Sequence, residues 1–430
     1  MTPKYKSYNI SALESIPYLQ NMDETIVEDI KIVSEIYPFK TNNYVLDNLI
    51  DWENGIDDPI FRLNFPHKEM LTENDYDRLK WGRKNLSQAE LSKLVNEIRL
   101  TLNPHPAGQT SFNVPFENGV KLEGLQHKYK NTVLYFPSHS QTCHAYCTFC
   151  FRWPQFVSNA DLKFQSKELD SLVRYLNNNP QITDVLLTGG DPMVMGPKIL
   201  ARYIDTLIEV KSLRNVRIGT KSLAFWPYKF TAADDGCKEV LEILRKVTTS
   251  GKHLAIMAHF NHPAELKSDV LMEAIENLRA IGAEIRTQAP LLRTINNHSD
   301  TWAEMWDRQV QLGLIPYYMF LPRDTGAQHY FAEDLSTSLQ IYRTAVQKLS
   351  GICRTAKGPV MSTLHGKVEL LDIEDDVFYL RFLQHRDTRL TYKVFKGQAS
   401  IANPKWLSDL APMNSADQHY FEMEECIVEE

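Results

Sequence analysis

The chain has 430 residues, 43% hydrophobic and 23% charged, the proportions of a soluble globular protein with room for a substantial core. A net charge of -7 excludes the basic face that nucleic acid or an anionic membrane surface would require. No stretch has the apolar length of a membrane span and the opening MTPKYKSYNI lacks the apolar core of a secretory signal, so a cytoplasmic protein is expected.

Residues 1–125 mix helical and irregular segments and are expected to form a mainly helical region. Within 86–102, Leu91, Leu94, Val95 and Ile98 recur on one stripe, which predicts an amphipathic helix ended by Asn103-Pro104. From 126 to 330 apolar runs alternate with helical periodicity. Runs at 133–137, 182–188, 216–220, 253–260, 283–289 and 314–321 read as strands. Helical stripes fall between them, such as Leu169, Leu172, Val173 and Leu176, or Val240, Leu241, Leu244 and Val247. Strands separated in this way build βα units and a parallel sheet buried on both faces. The fold class is therefore α/β, either doubly wound or curled into a full or partial barrel, with chemistry at the C-terminal strand ends. Residues 331–430 carry short alternating segments such as GKVELLDI and VFYLRFL and are expected to be a small β-rich piece.

Six cysteines occur, and three crowd into Cys143-x3-Cys147-x2-Cys150, just past the first strand. Cys237, Cys353 and Cys426 are scattered and read as incidental thiols. Clustered thiols in a long, reduced chain point to a metal or redox site rather than a disulfide scaffold. Three thiolates on one loop suit a [4Fe–4S] cluster with one iron left open for another ligand. A zinc site completed by His139 or His144 is the alternative. Gly189-Gly190-Asp191 follows the second strand, where glycines alone would also make a tight turn.

Taken together, the cysteine spacing, Phe149 inside it and Gly189-Gly190-Asp191 resemble the radical S-adenosylmethionine superfamily, whose fold is a partial (βα)6 barrel. Further strings sharpen the resemblance to the lysine 2,3-aminomutase-like family over most of the chain: Asp58-Pro59-Ile60-Phe61-Arg62, Cys150-Phe151-Arg152, His259-Phe260-Asn261-His262-Pro263, Gln288-x3-Leu292-Arg293 and Lys357-Gly358-Pro359-Val360-Met361. The resemblance implies that Cys143, Cys147 and Cys150 hold the cluster. Phe149, Gly189, Gly190, Asp191 and Gln288 would receive S-adenosylmethionine. Arg152 would bind a substrate carboxylate, for which its planar fork is suited. Lys357 would carry pyridoxal 5′-phosphate, with Lys128 and Tyr129 at the cofactor phosphate.

The implied reaction is a 2,3-aminomutase reaction. A 5′-deoxyadenosyl radical takes hydrogen from Cβ of an amino acid, and the nitrogen moves from Cα to Cβ. Where lysine-specific members hold the distal ammonium with two aspartates, this chain has Arg323 with Asp324 adjacent, and Ser350. A cation there repels lysine and suits an acidic or polar tail, so Arg323 and Asp324 are expected to be substrate-binding and lysine is not the expected substrate. The family's glycine run before the lysine is replaced by Cys353-Arg354-Thr355-Ala356, and Thr132 stands at a second phosphate-arginine position. These changes keep open a radical enzyme of the same family that acts on a carboxylate-bearing substrate without pyridoxal phosphate. A non-catalytic metal-binding or interaction protein is a third reading. The expected partners are a small amino acid substrate and an electron donor such as flavodoxin or ferredoxin, with a homo-oligomer left open.

Overall fold

In the computed structural model, which describes residues 4–104, 112–157 and 163–421, each apolar run of the central region is a strand. Cys426 lies outside the described residues. The main sheet contains β1 (Leu125–Tyr129), β2 (Thr132–Tyr135), β3 (Asp184–Leu187), β4 (Asn215–Thr220), β5 (His253–His259) and β6 (Glu284–Pro290). It continues with β7 (Ile315–Phe320), β8 (Lys357–Ser362), β9 (Gly366–Glu374), β10 (Val377–His385), β11 (Val394–Ala399) and β12 (Leu410–Pro412). The crossover helices are α1 (Leu169–Asn178), α2 (Pro197–Glu209), α3 (Cys237–Thr249), α4 (Asp269–Ala280), α5 (Ser299–Gln311) and α6 (Leu335–Gln347).

Strand order along this 12-stranded sheet is sequential from β1 to β12. Strands β2 to β8 run parallel, while β1 and the meander β9 to β12 pair antiparallel. A doubly wound sheet reverses its strand order partway, and this one does not. Successive right-handed crossovers in one direction put every helix on the same face, so the sheet must curl with its other face inside. The burial pattern agrees: β3, β4 and β6 alternate half-buried with buried residues. The buried set packs into the main core with the helices, and the half-buried set, including Asp184, Arg217 and Arg286, lines the inner face.

The two ends of the curl approach each other without pairing as strands. Lys128 on β1 donates to the carbonyls of Thr363 and Gly366, where β8 turns into β9. Lys367 on β9 lies 4.7 Å from the ring centroid of Tyr129 on β1. The architecture is a partial barrel. The sheet runs unbroken past residue 330, because β8 adds in parallel to β7 before the meander begins. No helix among the described residues is long and apolar enough to cross a membrane.

Residues 4–104 are mainly helical, with one short ribbon of Ser7–Asn9 against Lys40–Asn42. Helix Gln88–Leu102 begins with a capping box in which Ser87 and Glu90 satisfy each other's backbone N–H. It buries Val95 and Ile98 and stops at Asn103, since the residue before a proline disfavours helical backbone.

Candidate active site

The cysteine loop leaves the C-terminal end of β2, and the N-terminal region holds its backbone. Thr148 donates its N–H to the Leu63 carbonyl at 3.0 Å and its hydroxyl to the Arg62 carbonyl at 2.7 Å. Those carbonyls end the short helix Pro59–Asn64, whose N-terminus is capped by Asp58 accepting from the Phe61 N–H at 2.7 Å. The Asp58-to-Arg62 string is thereby a buttress for the loop. The Tyr146 N–H donates to the Lys40 carbonyl at 2.8 Å, and Lys40 Nζ donates to the Cys143 carbonyl at 2.8 Å. Tyr5 and Asn42 both donate to the His144 carbonyl, at 2.7 and 3.2 Å.

Held in this way, Cys143, Cys147 and Cys150 are free, half-buried thiols. Burial pushes all three thiols up, with Asp191 adding to the effect at Cys143. Thiols in such surroundings keep their protons until a metal displaces them. The proposed fourth zinc ligands have other partners: His139 Nδ1 meets Tyr203 at 3.1 Å and His144 Nδ1 meets Ser222 at 2.9 Å. Among the described residues no three His, Cys, Asp or Glu side chains converge on one mononuclear metal position.

The turn after β3 lies directly on the run that leads to Cys143. The N–H groups of Gly190 and Asp191 donate to the Ser140 carbonyl at 2.9 and 3.0 Å, and Asp191 N–H also reaches the Thr142 carbonyl at 2.8 Å. Gly189 has φ +143, and a Cβ on Gly190 would fall 2.4 Å from the Thr142 carbonyl oxygen. Glycine is required here for close backbone approach. The Asp191 carboxylate, expected from the resemblance to help receive S-adenosylmethionine, is hydrogen-bonded inside the protein. It accepts from Met193 N–H at 2.9 Å, Thr220 Oγ1 at 2.7 Å, Lys221 N–H at 2.9 Å and Ser222 Oγ at 3.0 Å. Burial raises its pKa and these donors oppose the rise. Asp191 therefore ties the end of β3 to the end of β4.

A second polar group, unnoticed in the sequence, crosses the next strand ends. Lys221, immediately after β4, donates to Glu265 at 2.6 Å and to Asn261 at 2.8 Å, and both lysine and glutamate side chains are nearly inaccessible, at 11% and 0%. Its position just past a strand end was the available signal. Beside it His259 is half-buried and held neutral, its pKa pushed to about 3 by desolvation and the Lys221 ammonium. The Gln288 amide lies 2.8 Å from the His259 Nε2, so the expected ribose contact is anchored by a histidine that serves as acceptor.

Arg152 gives the site its electrostatic character. The residue is half-buried, its guanidinium carbon lies 4.2 Å from the Phe136 ring centroid, and Nε and Nη2 are buried with no hydrogen-bond partner among the described residues. Burial lowers its pKa to about 10, while the Cys150 and Cys143 thiols act in the opposite direction. Arg323 joins this end of the barrel, its guanidinium 5.4 Å from the Phe151 ring centroid, and lines a small cleft with Phe149, Cys150 and Gln328. Asp324 follows it, half-buried.

The lysine-bearing strands present a different picture from the sequence. Lys357 opens β8, half-buried, its Cα opposite Tyr318 of β7. The Lys128 ammonium, expected at a cofactor phosphate, donates to the Thr363 and Gly366 carbonyls. Tyr129 remains on the inner face, half-buried, and burial raises its hydroxyl. The inner-face cations not foreseen are Arg217, which donates to Asp184 at 2.7 Å, and Lys367.

No family model matches the chain. A protein of Aquifex aeolicus (strain VF5) named "Putative L-lysine 2,3-aminomutase" is 29% identical over 399 residues, 92% of this chain and 93% of that protein. The L-lysine 2,3-aminomutase of Acetoanaerobium sticklandii is 27% identical over 252 residues, covering 58% of this chain and 55% of its own. That of Clostridium subterminale is 29% identical over 227 residues, covering 53% and 49%. The alignments thus span about half the length of these two relatives. Among solved structures, Streptococcus suis SuiB overlaps 76% of this chain and 70% of its own at 13% identity with a TM-score of 0.38, a likeness too slight to build on. Its sequence relatives are proteins named L-lysine 2,3-aminomutase, and the chain is similar to that family.

Proposed function

We propose that this chain is a cytoplasmic radical S-adenosylmethionine enzyme that moves the α-amino group of an amino acid other than lysine to the β-carbon, with pyridoxal phosphate. The observation that carries this reading is Arg152. Its buried Nε and Nη2 lack partners among the described residues and sit just past Cys150, and a cation so placed calls for an anion such as a substrate carboxylate.

Cys143, Cys147 and Cys150 would hold a [4Fe–4S] cluster, for which three free thiols on one braced loop are a fitting donor set. Phe149, Gly189, Gly190 and Gln288 would receive S-adenosylmethionine at the same strand ends, with Asp191 shaping the turn. Lys357, with Tyr129 and Lys128 on the inner face, would hold pyridoxal phosphate. When bound, these groups supply a carbon-centred radical and a conjugated partner for the migrating nitrogen. The chain's own residues bind and orient. Arg152 takes the carboxylate in bidentate fashion. Arg323, beside Phe151 and the cleft at Cys150, disfavours an ammonium tail and suits an acidic or polar one, with Asp324 adjacent. Lys221, Glu265 and His259 set the floor on which Gln288 rests. Flavodoxin or ferredoxin would serve as the electron donor, and the enzyme would act alone or as a homo-oligomer.

One observation favours a second reading, a radical enzyme of this family that uses no pyridoxal phosphate: the Lys128 ammonium is engaged by two backbone carbonyls. The test is anaerobic. The protein is reconstituted with iron and sulfide, given dithionite and S-adenosylmethionine, and assayed for 5′-deoxyadenosine while amino acids are screened. Nucleoside stimulated by one amino acid, with its β-isomer appearing, is the expected result. Nucleoside formed without pyridoxal phosphate dependence selects the second reading, and none at all from cluster-replete protein overturns both.

A further inference from the structure

We propose that Lys40, supplied by the N-terminal region and not by the barrel, is a positioning residue whose positive charge favours the reduced form of a cluster held on Cys143, Cys147 and Cys150. The inference rests on the cluster-binding part of the radical reading and goes beyond it by naming what eases reduction.

Lys40 lies opposite Asn9 in the short N-terminal ribbon. It grips the cysteine loop twice. Its carbonyl accepts from the Tyr146 N–H at 2.8 Å, while its Nζ donates to the Cys143 carbonyl at 2.8 Å and to Thr142 Oγ1 at 3.3 Å. Asn42 on the same ribbon is fully buried and donates to the carbonyls of His144 and Phe225 at 3.2 and 3.0 Å, which fixes the ribbon against the loop. Lysines are mostly exposed, with the ammonium in solvent. This one is half-buried and held at its tip beside the first cysteine.

The charges around the three thiols single it out. Cys143 is faced by Asp191 and Lys40, Cys147 by Lys221, Glu265 and Asp191, and Cys150 by Arg152. The Lys221 charge is offset by Glu265 at 2.6 Å. That of Arg152 is offset once a substrate carboxylate binds, on the reading given above. Asp191 meets only neutral donors, so its negative charge stands against an incoming electron. Lys40 Nζ meets a carbonyl, a hydroxyl and the Tyr146 ring at 6.0 Å, with no carboxylate partner among the described residues. It is the cation at the loop that keeps its charge whichever ligand is bound. The potential of an iron–sulfur cluster follows its net charge and surroundings, and charges out of bulk water are screened weakly. Reduction brings one electron from the donor onto the cluster. Lys40 neither gains nor loses one, and its charge lowers the energy of the more negative state.

The experiment uses the full chain, reconstituted anaerobically with iron and sulfide and poised with dithionite at a fixed potential. Electron paramagnetic resonance then reads the reduced cluster. Lys40→Gln, which keeps a hydrogen-bond donor, and Lys40→Met, which does not, should each lower the ratio of reduced to oxidised cluster about tenfold. For a one-electron couple that is a fall of about 59 mV. Lys40→Arg keeps the charge and should match the wild type. A wild-type ratio in the neutral variants overturns the inference and leaves Lys40 a brace for the loop. A fall shared by Lys40→Arg also overturns it, since contact geometry and not charge would then decide the ratio. Two neutral variants keep the result readable where one fails to fold. Wild-type protein that holds no cluster overturns the inference together with the radical reading. Wild-type protein that forms 5′-deoxyadenosine, beside neutral variants with an unmoved ratio, overturns the inference alone.

Discussion

The cysteine loop and the β8–β9 region are held in opposite ways. At the loop, the protein spends its contacts on backbone carbonyls and N–H groups, through Tyr5, Lys40, Asn42, Arg62 and Leu63, and leaves the three thiols free. At β8 and β9 the backbone is satisfied by the sheet, and the side chains are sorted by their surroundings. Lys128 is taken by carbonyls, Lys367 is ringed by tyrosines with an amide acceptor, and Lys357 opens the strand. A ligand set that is local in sequence needs only a rigid loop. The partners of a lysine on this sheet are set by what faces it across the barrel.

The contrast breaks most sharply at the loop. Cys147→Ala should reduce 5′-deoxyadenosine formation by more than about 10³-fold and remove the iron–sulfur absorbance, since the braced loop offers no spare thiolate. Full activity in that variant would show that the cysteines do something else.

Arg152→Met comes next. Losing the charged partner of a buried carboxylate costs roughly 2–5 kcal/mol, so kcat/KM for the stimulating amino acid should fall about 30- to 1000-fold or more. The thermal midpoint of the protein without ligands should hold or rise, because an unpartnered buried guanidinium is removed. A lowered midpoint with unchanged KM would make Arg152 structural.

Gly190→Ala tests whether the two regions share a scaffold. A Cβ 2.4 Å from the Thr142 carbonyl forces the turn off the cysteine run, at a cost of about 1–3 kcal/mol. Denaturant unfolding should show the loss, together with poorer retention of iron.

At Lys367 the readout is pH. Its ammonium titrates at 10.5 ordinarily and at about 7 in the folded chain, so the unfolded chain binds the additional proton between those values. Stability of the wild-type protein therefore gains from this group as pH rises from 7 to 10.5, and loses that gain as pH falls back. Lys367→Met has no proton to exchange, and the stability difference between the two proteins should move with pH over that window. A flat difference would mean that the amine is charged in the folded state. The smallest effect belongs to Tyr5→Phe, which removes one of two donors to the His144 carbonyl and should cost about 1 kcal/mol in denaturant unfolding.

Much of the site was legible because its signals are short in sequence. The spacing of Cys143, Cys147 and Cys150, the glycines after β3 and the arginine after Cys150 all lie within single loops, where identity and spacing imply geometry. Lys221 sat in plain view after β4 yet went unread, because a lysine beyond a strand end is ordinarily solvated, and Glu265 and Asn261, which bury it, come from beyond the next strand. Asp191 was expected at the cofactor from the resemblance of Gly189-Gly190-Asp191, a string of three adjacent residues. Its real neighbours, Thr220 and Ser222, arrive with β4.

By itself the sequence determined the alternation of strands and helices, the parallel sheet and the cysteine loop, since periodicity and local spacing encode which face is buried and which ligands share a loop. Only the tertiary structure decided that the sheet curls rather than winds doubly, and which partners each lysine meets. Those outcomes depend on strand order and on charges brought together from β1, β3, β4, β7, β9 and β10, and no local pattern carries a long-range encounter.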